Sequence, residues 1–324
     1  MSWPDLVAIA LFPGYAFLIL MAFFLEWLDR KVLAKVQDRY GPLVVGPAGI
    51  LQPLADFIKL LSKEDIVPRG ANGLVLTATP ILMVMLPLVA LTFVPINGRE
   101  ALLPFEGSLV AVLLVLVFTA LLIFLTGWAS GNVFAAEGAM RSALQMLSYE
   151  IPLALTAICP ALTAGSLSIS TIYRRQAEAG TPFLLALPPL GALSFVIFLI
   201  CSLAELERVP FDAPEAETEI VAGWMTELTG RRLALIKLGR DLNFLLMASL
   251  MASLYLGDPY TPKLGLLAPL AFILKVLACA AIMSFMRGLM ARLRIDQTLR
   301  IFWTYMIPIS LGVLLATKVA LMIL

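Results

Sequence analysis

Residues 109–125 read LVAVLLVLVFTALLIFL, a run without a single charged side chain. A helix needs about 20 apolar residues to cross the roughly 30 Å hydrocarbon core of a bilayer, so this run predicts a transmembrane helix. The rest of the chain is similar in character. Of its 324 residues, 61% are hydrophobic and 14% are charged, whereas soluble domains carry roughly 25% charged residues. The sequence therefore predicts a polytopic membrane protein.

Apolar runs of comparable length recur along the chain and predict spanning helices. They are Leu6–Trp27, Leu74–Val94, Leu109–Leu125, Ala143–Ala164, Phe183–Leu203, Leu242–Leu256, Leu264–Leu289 and Ile301–Leu324. The alternating pattern of a membrane β-barrel is absent, and helices are the other structure that satisfies its own backbone hydrogen bonds in lipid. We predict an all-α polytopic membrane protein, a bundle of about eight transmembrane helices forming a single membrane domain over residues 1–324.

The polar composition excludes several functions. The first run has no basic region before it and no small-residue cleavage motif after it, so we expect a retained helix instead of a signal peptide. Cys159, Cys201 and Cys279 stand alone in apolar runs, and the chain has no His. These residues offer no ligand set for zinc, haem or an iron–sulfur cluster, so we expect any redox centre in another chain. The net charge of +1 and the lack of a basic tract predict no nucleic-acid partner.

Basic residues are concentrated in alternate loops. Successive loops lie on opposite sides of the membrane. The loops on one side hold only four of the 23 Lys and Arg residues, namely Arg99, Arg174, Arg175 and Lys263. Because Lys and Arg concentrate in cytoplasmic loops, we expect a multi-pass protein of the cell (inner) membrane with both termini outside. The large cytoplasmic loops would cover about residues 29–73, 128–141, 205–240 and 287–300.

A short amphipathic helix is predicted in the first of these loops. Its apolar face holds Ile50, Leu54, Phe57, Ile58 and Leu61, and its polar face holds Gln52, Asp56, Lys59 and Lys63. Such a helix lies on the membrane surface as an anchor, or it forms a lid over a cavity or a dock for a soluble partner. The Gly- and Pro-rich residues 39–49 before it predict a rigid turn, which either places backbone groups near a ligand or only reverses the chain.

Charged residues also occur inside apolar runs. A carboxylate there costs roughly 2.5–3.5 kcal/mol on insertion scales and usually faces water or the bundle interior. We therefore place Glu150 in a proton or ion pathway, with a structural ion pair to a base such as Arg141 as the alternative. Lys275 has the same status and is a candidate partner for an intramembrane acid. Glu26 and Lys318 lie near the ends of runs, where long side chains reach the interface.

The stretch 204–230, AELERVPFDAPEAETEIVAGWMTELTG, is acidic in an otherwise apolar chain. The spacing of Asp212 and Glu215 matches a capping box and predicts a helix that begins at Asp212. On that helix Asp212, Glu215 and Glu219 would share one face, with Glu217 elsewhere, and their repulsion would raise the pKa of at least one. Prolines and the rapid return to apolar residues suggest that the acids are enclosed; a solvated face is the alternative.

The last cytoplasmic loop, residues 287–300, is basic. Its side chains either bind lipid head groups, or pair with the acidic stretch or a partner subunit. They are Arg287, Arg292, Arg294 and Arg300.

Five segments in order resemble the signature segments of one known family. They are DRKVLAKVQDRYGP, GILQPLADFIKLLSKEDIVP, GWAS with SALQMLSYE, LAELERVPFDAPEAETEIVAGW, and ARLRIDQ with Trp303. The family is the eight-helix membrane subunit that forms the quinone site of respiratory complex I. It also occurs in the related energy-converting membrane-bound NiFe hydrogenases, and the resemblance spans nearly the whole chain.

The resemblance implies a helix bundle that anchors a soluble electron-transfer arm. It also implies a charged, hydrated path from the arm junction toward antiporter-like subunits, formed by the matching acids Glu150, Glu205, Asp212, Glu215, Glu217 and Glu219. Further polar signature positions, which we expect at the junction with the arm, are Arg30, Lys31, Gln37, Arg39, Asp56, Lys59, Glu64, Arg141, Arg208, Arg294 and Asp296. Lys275 joins the ion pathway on its intramembrane position alone.

Several positions depart from the complex I pattern. Members of complex I carry Asn where this chain has Glu207 and Tyr where it has Leu228. Their Ala-Glu-Tyr corresponds to residues 239–241, which are Gly, Arg and Asp, and their Lys after the last-helix Trp corresponds to Thr304. A quinone tunnel needs apolar and aromatic walls and an entry from lipid, so these differences favour the hydrogenase version.

We therefore expect a subunit of a hydrogen-evolving membrane-bound hydrogenase that couples electron transfer from ferredoxin to proton or sodium translocation. Iron–sulfur clusters and a NiFe site are expected in hydrogenase-like large and small soluble subunits, beside antiporter-like membrane subunits and lipid. The alternatives are a quinone-site subunit of NADH:quinone oxidoreductase, a subunit of a sulfur-reducing relative and, in another class, a stand-alone ion transporter. A passive anchor would not need Glu150 and Lys275 in the membrane.

Overall fold

The structure is a computed structural model and describes residues 12–257 and 261–323. Across these two ranges all the regular elements are helical, which confirms the all-α prediction. The longer helices are α1 Tyr15–Val36, α2 Gln52–Ser62, α3 Gly73–Leu91, α4 Ser108–Ala129, α5 Val133–Ala164, α6 Ile169–Ala179, α7 Leu190–Glu205, α8 Gly230–Tyr255, α9 Ala268–Leu289 and α10 Ile295–Ile323. Within α10, Phe302–Met306 forms a π turn.

Five of these helices, α3, α4, α5, α9 and α10, are long and apolar enough to cross a membrane. Helix α7 is equally apolar but has only 16 residues. Helices α1 and α8 have 22 and 26 residues and carry charged side chains toward one end. Together these eight helices confirm the predicted fold class; residues 6–11 of the first predicted span lie outside the described residues.

Helix α8 lies at the centre of the bundle. It packs against α1, α2, α3, α6, α7 and α9, and every residue from Leu242 to Tyr255 is buried. Because protein surrounds it in place of lipid, α8 accommodates polar residues such as Asn243, Ser249 and Ser253. This position explains why the corresponding apolar run is the shortest of the eight in the sequence.

Several helices extend beyond their apolar runs. Helix α5 begins at Val133, where Asn132 caps it by accepting a hydrogen bond from the Phe134 N–H at 2.8 Å. Helix α8 begins at Gly230. Parts of the predicted loops 128–141 and 205–240 are therefore helical, because helix ends that leave the apolar layer can carry charged residues. Conversely, the fifth span was predicted to begin at Phe183, whereas helix α7 begins only at Leu190.

Helix α2 is the predicted amphipathic helix. Leu54 and Phe57 pack against the main core, whereas Leu51, Ile58 and Leu61 are exposed along its outer side. The turn before it is compact. At Gly49, whose φ is +77°, a Cβ would come within 2.4 Å of the Pro42 carbonyl, so this turn requires glycine. The outer apolar side fits the predicted contact with the membrane surface.

Candidate charged site at one end of the bundle

The acidic loop, residues 206–229, joins α7 to α8 through a tight reversal. The N–H groups of Glu207 and Arg208 donate to the carbonyls of Ala204 and Leu203 at 3.2 and 3.1 Å. Glu207 has a φ of +49°, a left-handed conformation that favours Gly or Asn after a helix. For another residue this conformation costs about 1–2 kcal/mol. A glutamate is therefore an unusual residue at this position.

The helix predicted to begin at Asp212 does not form. Ala213–Glu215 is a single 3-10 turn, Glu217–Ile220 is a separate short turn, and Asp212 makes no side-chain cap hydrogen bond. The loop instead folds back on itself, so that a Cβ on Gly223 would lie 1.9 Å from the Pro214 oxygen. Asp212, Glu215 and Glu219 consequently do not share a helix face, and the side chain of Glu217 lies outside the described residues.

Each of the three described acids has its own arginine, so the expected mutual repulsion was wrong. The ion pairs are Asp212 with Arg292 at 2.5 Å, Glu219 with Arg141 at 2.5 Å, and Glu215 with Arg240. Hydrogen bonding from Arg141 lowers the pKa of Glu219, which is half exposed. Arg292 thus confirms the proposed pairing of the last basic loop with the acidic stretch.

A buried ion cluster lies beside the loop, around Asp29 of α1. Asp29 is completely buried and faces Nη1 of Arg208 at 3.0 Å and Nη1 of Arg287 at 2.5 Å. Arg208 also lies 3.9 Å above the Phe244 ring and 3.7 Å from Glu26. Glu26 was predicted to reach the interface, but its side chain is only 17% exposed because two arginines hold it inside.

Arg30 connects this cluster to the amphipathic helix α2. Its guanidinium contacts Glu26 and Asp56, each at 2.7 Å. Burial alone would raise the pKa of Asp56, but hydrogen bonds from Arg30 and Gln52 outweigh burial and lower it. The ionised form of Asp56 therefore holds α2 against α1.

Glu207 is the most enclosed acid of the loop that the structure describes. It is 5% exposed, and its two oxygens accept hydrogen bonds from Ser142 Oγ at 2.5 Å and Trp224 Nε1 at 3.0 Å. Trp224 is itself fully buried in a second core cluster between α3 and α4. Burial, followed by the charge of Glu215, raises the pKa of Glu207 to about 7. This side chain can therefore exchange a proton near neutral pH.

Four cavities follow one another at this end of the bundle. The α2 cavity, about 340 Å³, and the loop cavity, about 310 Å³, share Glu26, Arg30, Lys237 and Asp241. The first inner cavity, about 20 Å³, shares Glu207 and Arg240 with the loop cavity. The second inner cavity, about 40 Å³, shares Glu205 with the first and is also lined by Glu150. The series joins the α2 side of the bundle to a carboxylate within α5.

Many predicted site residues therefore lie together. Those lining the series are Arg30, Asp56, Lys59, Glu150, Glu205, Arg208, Asp212 and Glu215. Arg141 pairs with Glu137 and Glu219 instead of Glu150, so the alternative of a structural Glu150–Arg141 pair was wrong. The residues exposed at the same end, away from the cavities, are Gln37, Arg39, Glu64, Arg294 and Asp296, and Lys31 is half-buried there.

Lys275 lies apart from the cavity series. Its Nζ is 5.6 Å from the ring centroid of Tyr173 in α6, the helix that follows the far end of α5. Among the described residues, no group of three or more His, Cys, Asp or Glu is arranged to hold a metal ion.

Sequence reasoning missed several residues of the site. Asp29, Lys237, Arg240 and Asp241 were not chosen because a charge near a helix end is usually solvated, whereas here the ends of α1 and α8 are enclosed by the loops. Glu207 was recognised only as a departure from the complex I pattern. The departures at residues 207 and 240 were the features of the sequence that could have identified these site residues.

The fold and site define a class: a polytopic helical membrane protein whose loops enclose a series of charged cavities at one end. Residues 9–318 match the protein family described as NADH dehydrogenase, and the chain belongs to that family. This finding confirms the predicted relation to the complex I membrane subunit.

Named relatives cover nearly the whole chain. An NADH-quinone oxidoreductase subunit of Syntrophobacter fumaroxidans is 38% identical over 312 residues, 93% of this chain and 92% of the relative. A subunit of the same name from Rhodospirillum centenum is 37% identical over 294 residues, 89% and 85% of the two chains. Another, from Geobacter metallireducens, is 37% identical over 313 residues, 94% and 92% of the two chains. These relatives do not carry the hydrogenase name that the sequence departures favoured.

Proposed function

We propose that the chain is the membrane subunit of an NADH-quinone oxidoreductase type of complex, where it links electron transfer in a soluble arm to ion translocation in the membrane. The observation that carries this proposal is the cavity series, in which ionisable residues are shared from one cavity to the next as far as Glu150. Such a series places ionisable side chains in succession, so that a change of charge at the arm can act on the next acid as far as the middle of the bundle.

The α2 cavity is suited to a quinone head group. Its volume of about 340 Å³ falls within the roughly 300–1,000 Å³ of small-molecule sites. The walls combine apolar and aromatic side chains with charged ones; they include Phe23, Phe57, Leu60, Leu233 and Leu238 together with Arg30, Asp56 and Asp241. Of the departures from the complex I pattern, Asp241 lines this cavity, whereas Leu228 and Arg240 do not. The departures therefore weigh less against quinone than their number suggests.

The coupling step then runs through carboxylates that change protonation. Reduction of a quinone in the α2 cavity draws protons and alters the ion pairs of Arg30 and Glu26, which the loop cavity shares. Glu207 and then Glu205 change protonation next, and Glu150 is the last acid of the series. Antiporter-like membrane subunits would receive the signal beyond Glu150. The soluble subunits with their iron–sulfur clusters would dock on the exposed charged residues at the loop end, on the cytoplasmic side.

The membrane-bound hydrogenase is the second candidate, favoured by Glu207 and Leu228. In that complex ferredoxin would supply the electrons and a NiFe site in a partner would reduce protons, and a sulfur-reducing relative would use the same membrane subunit. The named relatives favour the quinone complex. The set of subunits in the complex purified from its native membrane decides between them: a nickel-containing large subunit would overturn the quinone assignment.

The coupling role is tested with Glu205→Gln in the intact complex reconstituted into vesicles. We expect electron transfer to continue while fewer ions are translocated per electron, because the carboxylate common to the two inner cavities is lost. The matched control is Glu178→Gln, an exposed acid paired with Arg174 at the opposite end of the bundle. An unchanged ratio of ions to electrons in Glu205→Gln would overturn the proposal.

The quinone assignment has its own test. A photoreactive quinone analogue should label peptides that contain Phe23 or Phe57, and excess quinone should compete with the labelling. Labelling confined to other subunits of an active complex would exclude the α2 cavity as the quinone site.

A further inference from the structure

Three residues line both the loop cavity and the first inner cavity: Leu206, Glu207 and Arg240. Glu207 and Arg240 line both cavities, and among the described residues they are the ionisable side chains that these cavities share. The loop cavity holds many other charged groups, whereas the first inner cavity adds only Glu205 to this pair. Glu207 and Arg240 are therefore the ionisable side chains that lie between the charged loop cavity and Glu205.

Glu207 is fixed in this shared lining. Its backbone has a left-handed conformation at the reversal after α7. Both carboxylate oxygens are already held, one by Ser142 and one by Trp224. The backbone of Glu207 has an unfavourable conformation, and two hydrogen bonds hold its side chain. The carboxyl group of Glu207 is therefore the fixed member of the pair.

Arg240 is the member that can move. Its backbone is fixed, because α8 presses against α3 so closely that a Cβ on the adjacent Gly239 would lie 2.6 Å from the Met83 oxygen. Its guanidinium lies at the end of a long side chain, where Nη1 contacts Glu215 and lies 3.7 Å from Met225 Sδ, a weak acceptor. Glu215 holds Arg240 in a direct ion pair, and the charge of Glu207 also acts on Arg240, so a second carboxylate lies near the guanidinium.

We propose that Arg240 is a positioning residue that exchanges its ion pair between Glu215 and Glu207 according to whether Glu207 holds a proton. The structure has Arg240 paired with Glu215, and the proposal assigns this arrangement to neutral Glu207. When Glu207 loses its proton to the inner cavity, the guanidinium moves to it, and Glu215 is released to bind a proton in the loop cavity. The exchange deepens the proposed function and rests on it for its role in ion translocation.

The surroundings place this exchange near neutral pH. Burial and Glu215 raise the pKa of Glu207 to about 7, and the positive charge of Arg240 acts against them. Helices α3 and α4 contribute only Met83, Thr119 and Ile123 to the first inner cavity. The titratable and charged groups that line the loop cavity and the two inner cavities from the other elements are Glu26 and Arg30 of α1, Tyr149 and Glu150 of α5, Glu205 of α7, Arg208, Asp212 and Glu215 of the loop, Lys237 and Asp241 of α8, and Arg287 and Arg292 at the end of α9 and just beyond it.

The test is the position of the Arg240 guanidinium in electron cryomicroscopy maps of the intact complex below and above the pKa of Glu207. We expect it on Glu215 in the acidic sample and on Glu207 in the alkaline one. In Glu207→Gln it should stay on Glu215 in both samples, and the carboxyl infrared band that titrates at about pH 7 in the parent should disappear. A guanidinium that stays on Glu215 in both parent samples would overturn the exchange.

Two further variants separate this proposal from general damage. Glu207→Asn introduces the residue of complex I relatives and suits the backbone, so the complex should assemble while the pH-dependent movement is lost. Arg240→Lys should retain a weaker form of the movement. An unchanged pH profile of ion translocation in Glu207→Asn would also contradict the exchange, whereas an unaffected Glu205→Gln would contradict only the coupling role proposed above.

Discussion

The carboxylate of Asp29 in α1 accepts a 2.5 Å hydrogen bond from Arg287 in α9, a residue 258 positions further along the chain. The same carboxylate faces Arg208 of the acidic loop at 3.0 Å. Asp29 is completely buried, so its carboxylate depends on these two arginines for the compensation of its charge. One side chain therefore holds the first helix, the acidic loop and the ninth helix together.

Replacing Asp29 with Asn should destabilise the protein strongly. Breaking a buried ion pair by removing one partner costs about 3–5 kcal/mol, because the remaining charge is left uncompensated. Thermal unfolding of the purified protein can be followed with a thiol-reactive dye, since Cys159, Cys201 and Cys279 are all buried. Glu178→Gln, which removes an exposed pair at 3.7 Å, should change the stability by less than about 1 kcal/mol. Equal effects of the two substitutions would contradict this interpretation.

Gly223→Ala should disrupt the acidic loop. Gly223 has a φ of +56°, and an added Cβ would lie 1.9 Å from the Pro214 oxygen, so we expect a loss of at least about 4 kcal/mol. The hydrogen bond from Trp224 to Glu207 should weaken with it.

Gly180→Ala is the matched control for that substitution. Gly180 has a φ of +76° but no atom within 4 Å of an added Cβ, so only backbone strain of about 1–2 kcal/mol applies. The difference between the two melting temperatures measures the close approach of Gly223 to Pro214. A Gly180→Ala variant as unstable as Gly223→Ala would show that strain alone explains both.

Stability should depend on pH through Glu207. Its pKa is raised from 4.5 to about 7, so its contribution is complete below pH 4.5 and is lost as the pH rises through about 7. A rise of this size corresponds to about 3 kcal/mol. Glu207→Gln should flatten this part of the stability curve, measured by thermal unfolding between about pH 5 and pH 8.

Glu219→Gln provides the opposite case. Arg141 lowers the pKa of Glu219 below 4.5, so its contribution is present above pH 4.5 and is lost as the pH falls below that value. This substitution should therefore leave the range from pH 5 to pH 8 unchanged, to within about a few tenths of a kcal/mol. If Glu219→Gln also flattened the curve of stability against pH, Glu207 would not be the cause of the pH dependence.

Asp56→Asn should loosen α2 from α1. The 2.7 Å contact of Asp56 with Arg30 forms part of the α2 cavity wall, and its loss should lower the affinity for a quinone analogue about tenfold, a change of about 1.4 kcal/mol. Glu64→Gln is the control, because Glu64 is exposed at the same end of the bundle and does not line the α2 cavity. Competition labelling measures the affinity of each variant for the quinone analogue. An unchanged affinity in Asp56→Asn would show that ligand binding does not depend on the contact between α2 and α1.

The bundle was predictable because apolar runs report directly on contact with lipid. The run at 109–125 lies entirely within α4. The central helix α8 was harder to recognise, since surrounding protein accepts Arg240 and Asp241 where lipid would not. Helix ends were misplaced for a related reason: charged residues such as those of 230–240 continue a helix once it leaves the apolar layer.

The acids of the site were predictable as a group, but their pairing was not. A D-x-x-E spacing describes local structure, whereas the path of the acidic loop is set by the contact of Gly223 with Pro214. The partners of Asp212 and Glu219 lie 80 and 78 residues away in the sequence. Only the folded chain shows that each acid meets a separate arginine, and that Glu207 closes the gap between two cavities.

Helix α7 has one more consequence. Its 16 residues rise about 24 Å, less than the roughly 30 Å thickness of the hydrocarbon layer. A helix this short leaves its terminal Glu205 recessed below the level of the lipid head groups, or thins the bilayer around it. Glu205 is also only 6% exposed, so in the proposed coupling a proton would reach it through the interior of the protein.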